Sequence, residues 1–168
     1  MSEEMSEDHW ESAQEGAELL AEGEFDHALQ VLGAVLEAEP DNEYAHFFVG
    51  NVHFEREEHV QALRAFLTAL ELAPRFLGAM INTGQTLRML GRYGEAIRMG
   101  KQALSVSEQD ADALYLIGVC HFARGDNENA TSFLRRFLDT RPEPELVSEV
   151  EGMLQVIAGQ IVPIEPES

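Results

Sequence analysis

Cations are scarce in this chain. Eleven lysines and arginines stand against 31 aspartates and glutamates over 168 residues, a formal net charge of −20. Such a field repels nucleic acid and anionic lipid and speeds encounter with basic partners. Nucleic-acid binding is therefore set aside. Cysteine is nearly absent: Cys120 alone cannot build an internal disulfide framework, and secretion gains no support from that source. No stretch approaches the roughly 18 apolar residues that a membrane span needs. The opening segment, Met1-Ser2-Glu3-Glu4-Met5-Ser6-Glu7-Asp8, lacks the basic segment and apolar run of a signal peptide. A soluble, cytoplasmic protein without membrane insertion is the expectation.

What the chain does have is apolar content and a repeat. Apolar residues make up 45% of it, which excludes wholesale disorder and suffices for a core. Glycine recurs at Gly16, Gly50, Gly84 and Gly118, each 34 residues after the last, and alanine keeps the same step at Ala28, Ala62, Ala96 and Ala130. Proline closes the windows at Pro40, Pro74 and Pro142, with Glu108 in the third. Each window reads as two helical stretches. In the second, Glu43 to Arg56 is followed by a polar break at Glu57-Glu58. Val60 to Ala73 then carries Ala62, Leu63, Phe66, Ala69 and Leu70 at spacings of three and four. The other breaks, Glu22-Gly23-Glu24, Leu90-Gly91-Arg92 and Arg124-Gly125-Asp126, use glycine for the turn. A small residue on each helix of a pair allows close approach, which a large side chain would prevent.

A glycine, an alanine twelve residues on, a bulky apolar residue four later (Leu32, Phe66, Leu134) and a closing proline resemble the tetratricopeptide repeat (TPR) family. The family's aromatic three after the glycine appears as Leu19, His53, Leu87 and His121. The resemblance implies an all-α, right-handed solenoid of four helical hairpins, 9–42, 43–76, 77–110 and 111–144, behind an acidic tail at 1–8. It also implies a concave groove, lined by the first helix of each hairpin, that binds peptide or protein. Ser12 and Glu15 replace apolar residues in the first window, as suits an outer repeat. The third has Gly100 in place of a bulky residue, plus Gly78 and Gly94, so its second helix is expected to be the loosest. Residues 145–161 read as a capping helix with Leu146, Val150, Leu154, Ile157 and Ile161 on one stripe. The tail 162–168 is kept extended by Pro163 and Pro166.

Placed against that frame, the groove-facing side chains of the second window are Tyr44, Phe47, Asn51 and Phe54. The third gives Ile81, Asn82, Gln85, Arg88 and Met89, and the fourth Asp112, Tyr115, Val119 and Phe122. Trp10, Ala13, Ala17, Leu20 and Ala21 come from the first. Some of these also pack against the neighbouring repeat. Amides can bond the backbone of an extended peptide, and rings supply pockets and contact area. A carboxylate clamp, as in the heat-shock chaperone adaptors of the family, is rejected: Asn51, Asn82 and Arg88 are there, but Lys101 lies on a second helix.

Catalytic and metal chemistry find no footing. His46 and His53 lie about two turns apart on one helix, too far to share a metal without other ligands. Cys120 and His121 point about 100° apart, which defeats a nucleophile–base pair. Glu55, Glu57 and Glu58 read as a solvated face, and Gly91-Arg92-Tyr93-Gly94 lacks the strand and lysine of a phosphate loop. The expected function is a non-enzymatic adaptor or scaffold without cofactor or metal, binding a basic or apolar peptide or protein segment. The alternative is a cytoplasmic holding chaperone, similar to the TPR chaperones of type III secretion, which are short, acidic and apolar in the groove. A homo-oligomer is a third reading, and the tail at Val162-Pro163-Ile164 is a candidate occupant of a neighbouring copy's groove.

Overall fold

The computed structural model describes residues 5–159. Within them every regular element is an α-helix: α1 (Glu7–Ala21), α2 (Phe25–Ala38), α3 (Glu43–Glu55), α4 (His59–Leu72), α5 (Leu77–Met89), α6 (Tyr93–Val106), α7 (Ala111–Ala123), α8 (Asn127–Asp139) and α9 (Pro144–Ile157). Two helices fall in each window, except that α1 starts two residues ahead of the first window, and α9 lies in the stretch read as a cap, starting at Pro144. Ile161 and the tail 162–168 lie outside the described residues. The helices form two compact units, α1 to α5 and α6 to α9, divided between Arg92 and Tyr93.

The helix starts repeat with the sequence. Asn42 and Asp110 cap α3 and α7 by accepting from the backbone N–H of Ala45 and Ala113, both at 2.9 Å. Phe76 stands at the equivalent place before α5 and cannot cap. Instead it is buried, its ring 4.6 Å from Phe47 and 5.5 Å from Tyr44. Apolar packing does there what a hydrogen bond does elsewhere.

Turns inside the hairpins repeat too. Gly23, Gly91 and Gly125 have φ of 79°, 74° and 73°, and the fourth member of that series is Glu57 at 60°. A left-handed backbone costs a residue with a Cβ roughly 1–2 kcal/mol. Part of that is offset because glycine has more freedom to lose on folding. Glu57→Gly is therefore expected to stabilise by about 0.5–1 kcal/mol, read as a rise in denaturation midpoint at unchanged slope.

The core explains the spacing. A Cβ on Gly50 would lie 2.5 Å from the Phe66 ring, and one on Gly118 would lie 2.6 Å from Leu134. Gly16 meets Leu32 more closely still. Each glycine is thus a notch and the residue 16 positions later its knob, while Ala28, Ala62, Ala96 and Ala130 are fully buried beside them. Gly100 occupies the knob position of the third window. It is not slack: Ile117 of α7 fills the space, 2.5 Å from where a Cβ would stand. The expected looseness is replaced by a second notch, this one facing the following helix.

Two histidines, one in each unit, have their pKa values shifted in opposite directions. In unit 1, Glu43 at the start of α3 is buried and accepts from the Ser6 backbone N–H at 2.9 Å, with His9 Nδ1 at 2.6 Å. That bond raises the His9 pKa above its ordinary value against the opposing effect of burial. In unit 2, His121 is buried and stacked on Phe133 with centroids 5.9 Å apart. Burial lowers its pKa, only partly countered by Asp126 at 3.2 Å. Stability from His9 is full below its unfolded value near 6.5 and is lost as pH rises through the raised folded value. Stability linked to His121 is lost as pH falls below about 6.5, where the unfolded chain takes the proton first. His121→Phe is expected to weaken the acid-side loss and His9→Gln to remove the alkaline-side loss. Denaturation midpoints between about pH 5 and 8 check both.

Candidate partner-binding groove

The first helices of the windows in unit 1 are α1, α3 and α5. Residues four or three apart on a helix share a face, so Asn51, Phe54 and Glu55 of α3 look the same way, as do Asn82, Gln85 and Arg88 of α5. Together these six line a pocket of about 320 Å³. A second pocket of about 510 Å³ adjoins it, formed by Leu20, Ala21, Gly23 and Phe25 and sharing Asn51 and Glu55 with the first. The result is one continuous lining that is apolar at the α1 end and amide-rich at the α5 end.

Its polar groups are organised. Asn82 Nδ2 donates to Asn51 Oδ1 at 2.7 Å, and Arg88 Nε donates to Gln85 Oε1 at 3.0 Å. Each pair fixes one end of each side chain and leaves the other amide end and the guanidinium NH groups directed elsewhere. The Phe54 ring is half-buried, held edge-on by His59 at 5.5 Å.

Not every residue expected in the groove is free to meet a partner. Phe47 is a packing residue: its ring lies 4.6, 5.3 and 5.9 Å from Phe76, Phe48 and Phe66, and it touches the place where a Gly78 Cβ would be. Tyr44 bridges Trp10 at 5.2 Å and Phe76 at 5.5 Å. Ile81 is buried, whereas Met89 is 49% exposed. In unit 2, Val119 is buried and Tyr115 and Phe122 pack on the cluster of Leu134, Phe137 and Val150. The Tyr115 hydroxyl donates to Glu149 of α9 at 2.6 Å. Asp112 is solvent-exposed, yet partial desolvation, with Asp110 nearby, raises its carboxyl pKa. Cys120 is a buried thiol outside any disulfide.

Sequence reasoning missed Glu55, Gly23 and Phe25. The charge pattern puts Glu55 with Glu57 and Glu58 on a solvated face, but it follows Asn51 by one turn and so lines both pockets. That spacing was the available signal. Phe25 opens a second helix, outside the first-helix faces that the repeat pattern assigns to the groove.

Two family models, both described as tetratricopeptide repeat, match residues 41–109 and 87–151. Together they cover 41–151, 111 of the 168 residues. With the repeating notch and knob, this places the chain in the tetratricopeptide repeat family, as an all-α solenoid. Tetratricopeptide repeat protein 37 of Xenopus laevis is 26% identical over 148 residues, 88% of this chain and 9% of that protein. Superkiller complex protein 3 of Mus musculus is 28% identical over 69% of this chain and 7% of its own length. DnaJ homolog subfamily C member 7 of Mus musculus is 32% identical over 58% and 20%. The chain thus spans a fifth or less of these relatives. Among solved structures, MamA aligns with a TM-score of 0.78 at 19% identity, covering 86% of this chain and 83% of MamA. PilW, a type IV pilus biogenesis factor, gives 0.82 at 21%, covering 92% and 72%. These likenesses establish the fold. The tetratricopeptide repeat family to which the chain belongs is one of protein–protein interaction scaffolds. Among the described residues no helix is long and apolar enough to cross a membrane.

Proposed function

We propose that this chain is a non-enzymatic adaptor that holds a peptide or an apolar segment of a partner protein in the groove of unit 1, and that it works in the cytoplasm. The observation that carries the reading is the pair of adjoining pockets across α1, α3 and α5. Amide groups there are set to meet a partner backbone, and Phe54, Leu20 and Phe25 are set to receive its side chains. One similar protein is by its name a component of a complex, which suits an adaptor. The test is capture from native extract with wild-type protein and an Asn82→Ala/Arg88→Ala variant side by side. Partners retained by the wild type and lost by the variant support the reading, while identical partner sets sink it.

The holding-chaperone reading uses the same groove for a longer apolar client. It draws on Trp10 and Met89, which expose 42% and 49% of their surface. Suppression of aggregation of an unfolded apolar client, abolished by Met89→Glu, would favour it over the adaptor.

A further inference from the structure

We propose that the groove of unit 1 selects a basic segment, a lysine or arginine side chain of the partner seating against Glu55. The inference rests on the groove reading above and adds the chemistry of what fills it. Glu55 is the last residue of α3 and is the only charged wall common to both pockets. Among the described residues its carboxylate has no ion-pair or hydrogen-bond partner. The neighbouring cation is engaged elsewhere: Arg56 reaches Asp26 at 3.1 Å and Glu58 at 3.3 Å. Across the first pocket, Arg88 is drawn to Gln85 rather than to Glu55.

The position is also a poor one for an acid. A carboxylate in the last turn opposes the helix dipole, and Glu57 and Glu58 follow it with charge of the same sign. A cation delivered by a partner meets the carboxylate at the negative end of the α3 dipole, in the field of a chain with net charge −20. An acidic segment would meet one guanidinium and be opposed by Glu55 and the net negative field of the chain. The neighbouring pocket of Leu20, Ala21 and Phe25 would take an apolar side chain beside the basic one.

The test selects a phage-displayed library of random linear peptides on the full chain, then on Glu55→Gln and Glu55→Lys. Wild type should enrich peptides carrying a lysine or arginine beside an apolar residue. Those peptides, made synthetically, should bind Glu55→Gln about two- to fivefold more weakly. Glu55→Lys should enrich acidic peptides instead. Glu55 is exposed and ends a helix, so neither variant should lose helical content or melt earlier, and Glu55→Gln should melt slightly later. Enrichment without basic residues, or unchanged affinity for Glu55→Gln, overturns the proposal while leaving the groove intact if Asn82→Ala still weakens binding. Peptides that bind Asn82→Ala and Arg88→Ala as well as wild type overturn the groove reading itself, and a library yielding no binder overturns both.

Discussion

Replacing Phe66 with alanine is expected to lower the unfolding free energy by about 3–5 kcal/mol, the range for emptying a well-packed aromatic site. Phe66 is fully buried and its ring rests in the notch that Gly50 leaves in α3. The converse change, Gly50→Leu, should cost about 3 kcal/mol or more, because the new side chain enters space that the ring holds. The gain in helix propensity over glycine, about 1 kcal/mol, offsets only part of it. The two changes together are the sharper experiment. In the double variant the leucine occupies the volume that the ring vacates, so the loss should fall short of the sum of the singles by about 1 kcal/mol or more. Gly33 in α2 and Gly152 in α9 serve as controls, since a Cβ on either meets nothing within 4 Å. Alanine at those sites should stabilise by up to about 1 kcal/mol. Strict additivity of the double variant in urea denaturation would refute the notch-and-knob account.

The second large effect concerns binding. Phe54→Ala and Arg88→Ala should each weaken a groove-bound partner by about 1–3 kcal/mol, some ten- to hundredfold in affinity. Phe54 is half-buried at the pocket wall, and the Arg88 NH groups left over from its bond to Gln85 can donate to a partner's backbone carbonyls. Reversing charge on exposed second-helix positions, Glu71→Lys or Arg98→Glu, should leave affinity nearly unchanged. Phe47 does not belong in this series. With three rings within 6 Å, its truncation would first weaken the fold, and lost binding would then report unfolding. Isothermal titration of a captured partner segment reads all four variants. Should the second-helix changes abolish binding while Phe54→Ala and Arg88→Ala leave it intact, the partner uses the opposite face.

The fold was legible because a strict period of 34 fixes both the notch and the turn. Local rules then suffice: Asn42 and Asp110 cap, glycine turns, and Ala62 lets helices close in. The site was legible only in part. A helical face can be read from spacing, but how much of that face its neighbours cover cannot. Phe47 and Tyr115 occupy equivalent groove positions by sequence. One is absorbed by Phe76 and Gly78, and the other by Glu149 of α9 and Phe137. Phe76 itself stands at a capping position, and Gly78 matters only because it has no Cβ. Glu55 was hidden for the converse reason: acids are so common here that one more carries no signal until the pocket walls are seen.

The notch and knob sit on different helices at a fixed distance of 16 residues, and this decides which changes in length the chain tolerates. One residue added inside α3 or α7 turns everything beyond it by about 100° and carries the notch away from its knob. Such an insertion would leave Phe66 or Leu134 facing a wall rather than a gap. Duplication or loss of a whole window keeps each of these notches with its own knob, because both lie in the same window and the register returns after 34 residues. Proteins built this way should lengthen and shorten in units of a hairpin, with single-codon slips in their helices purged by selection.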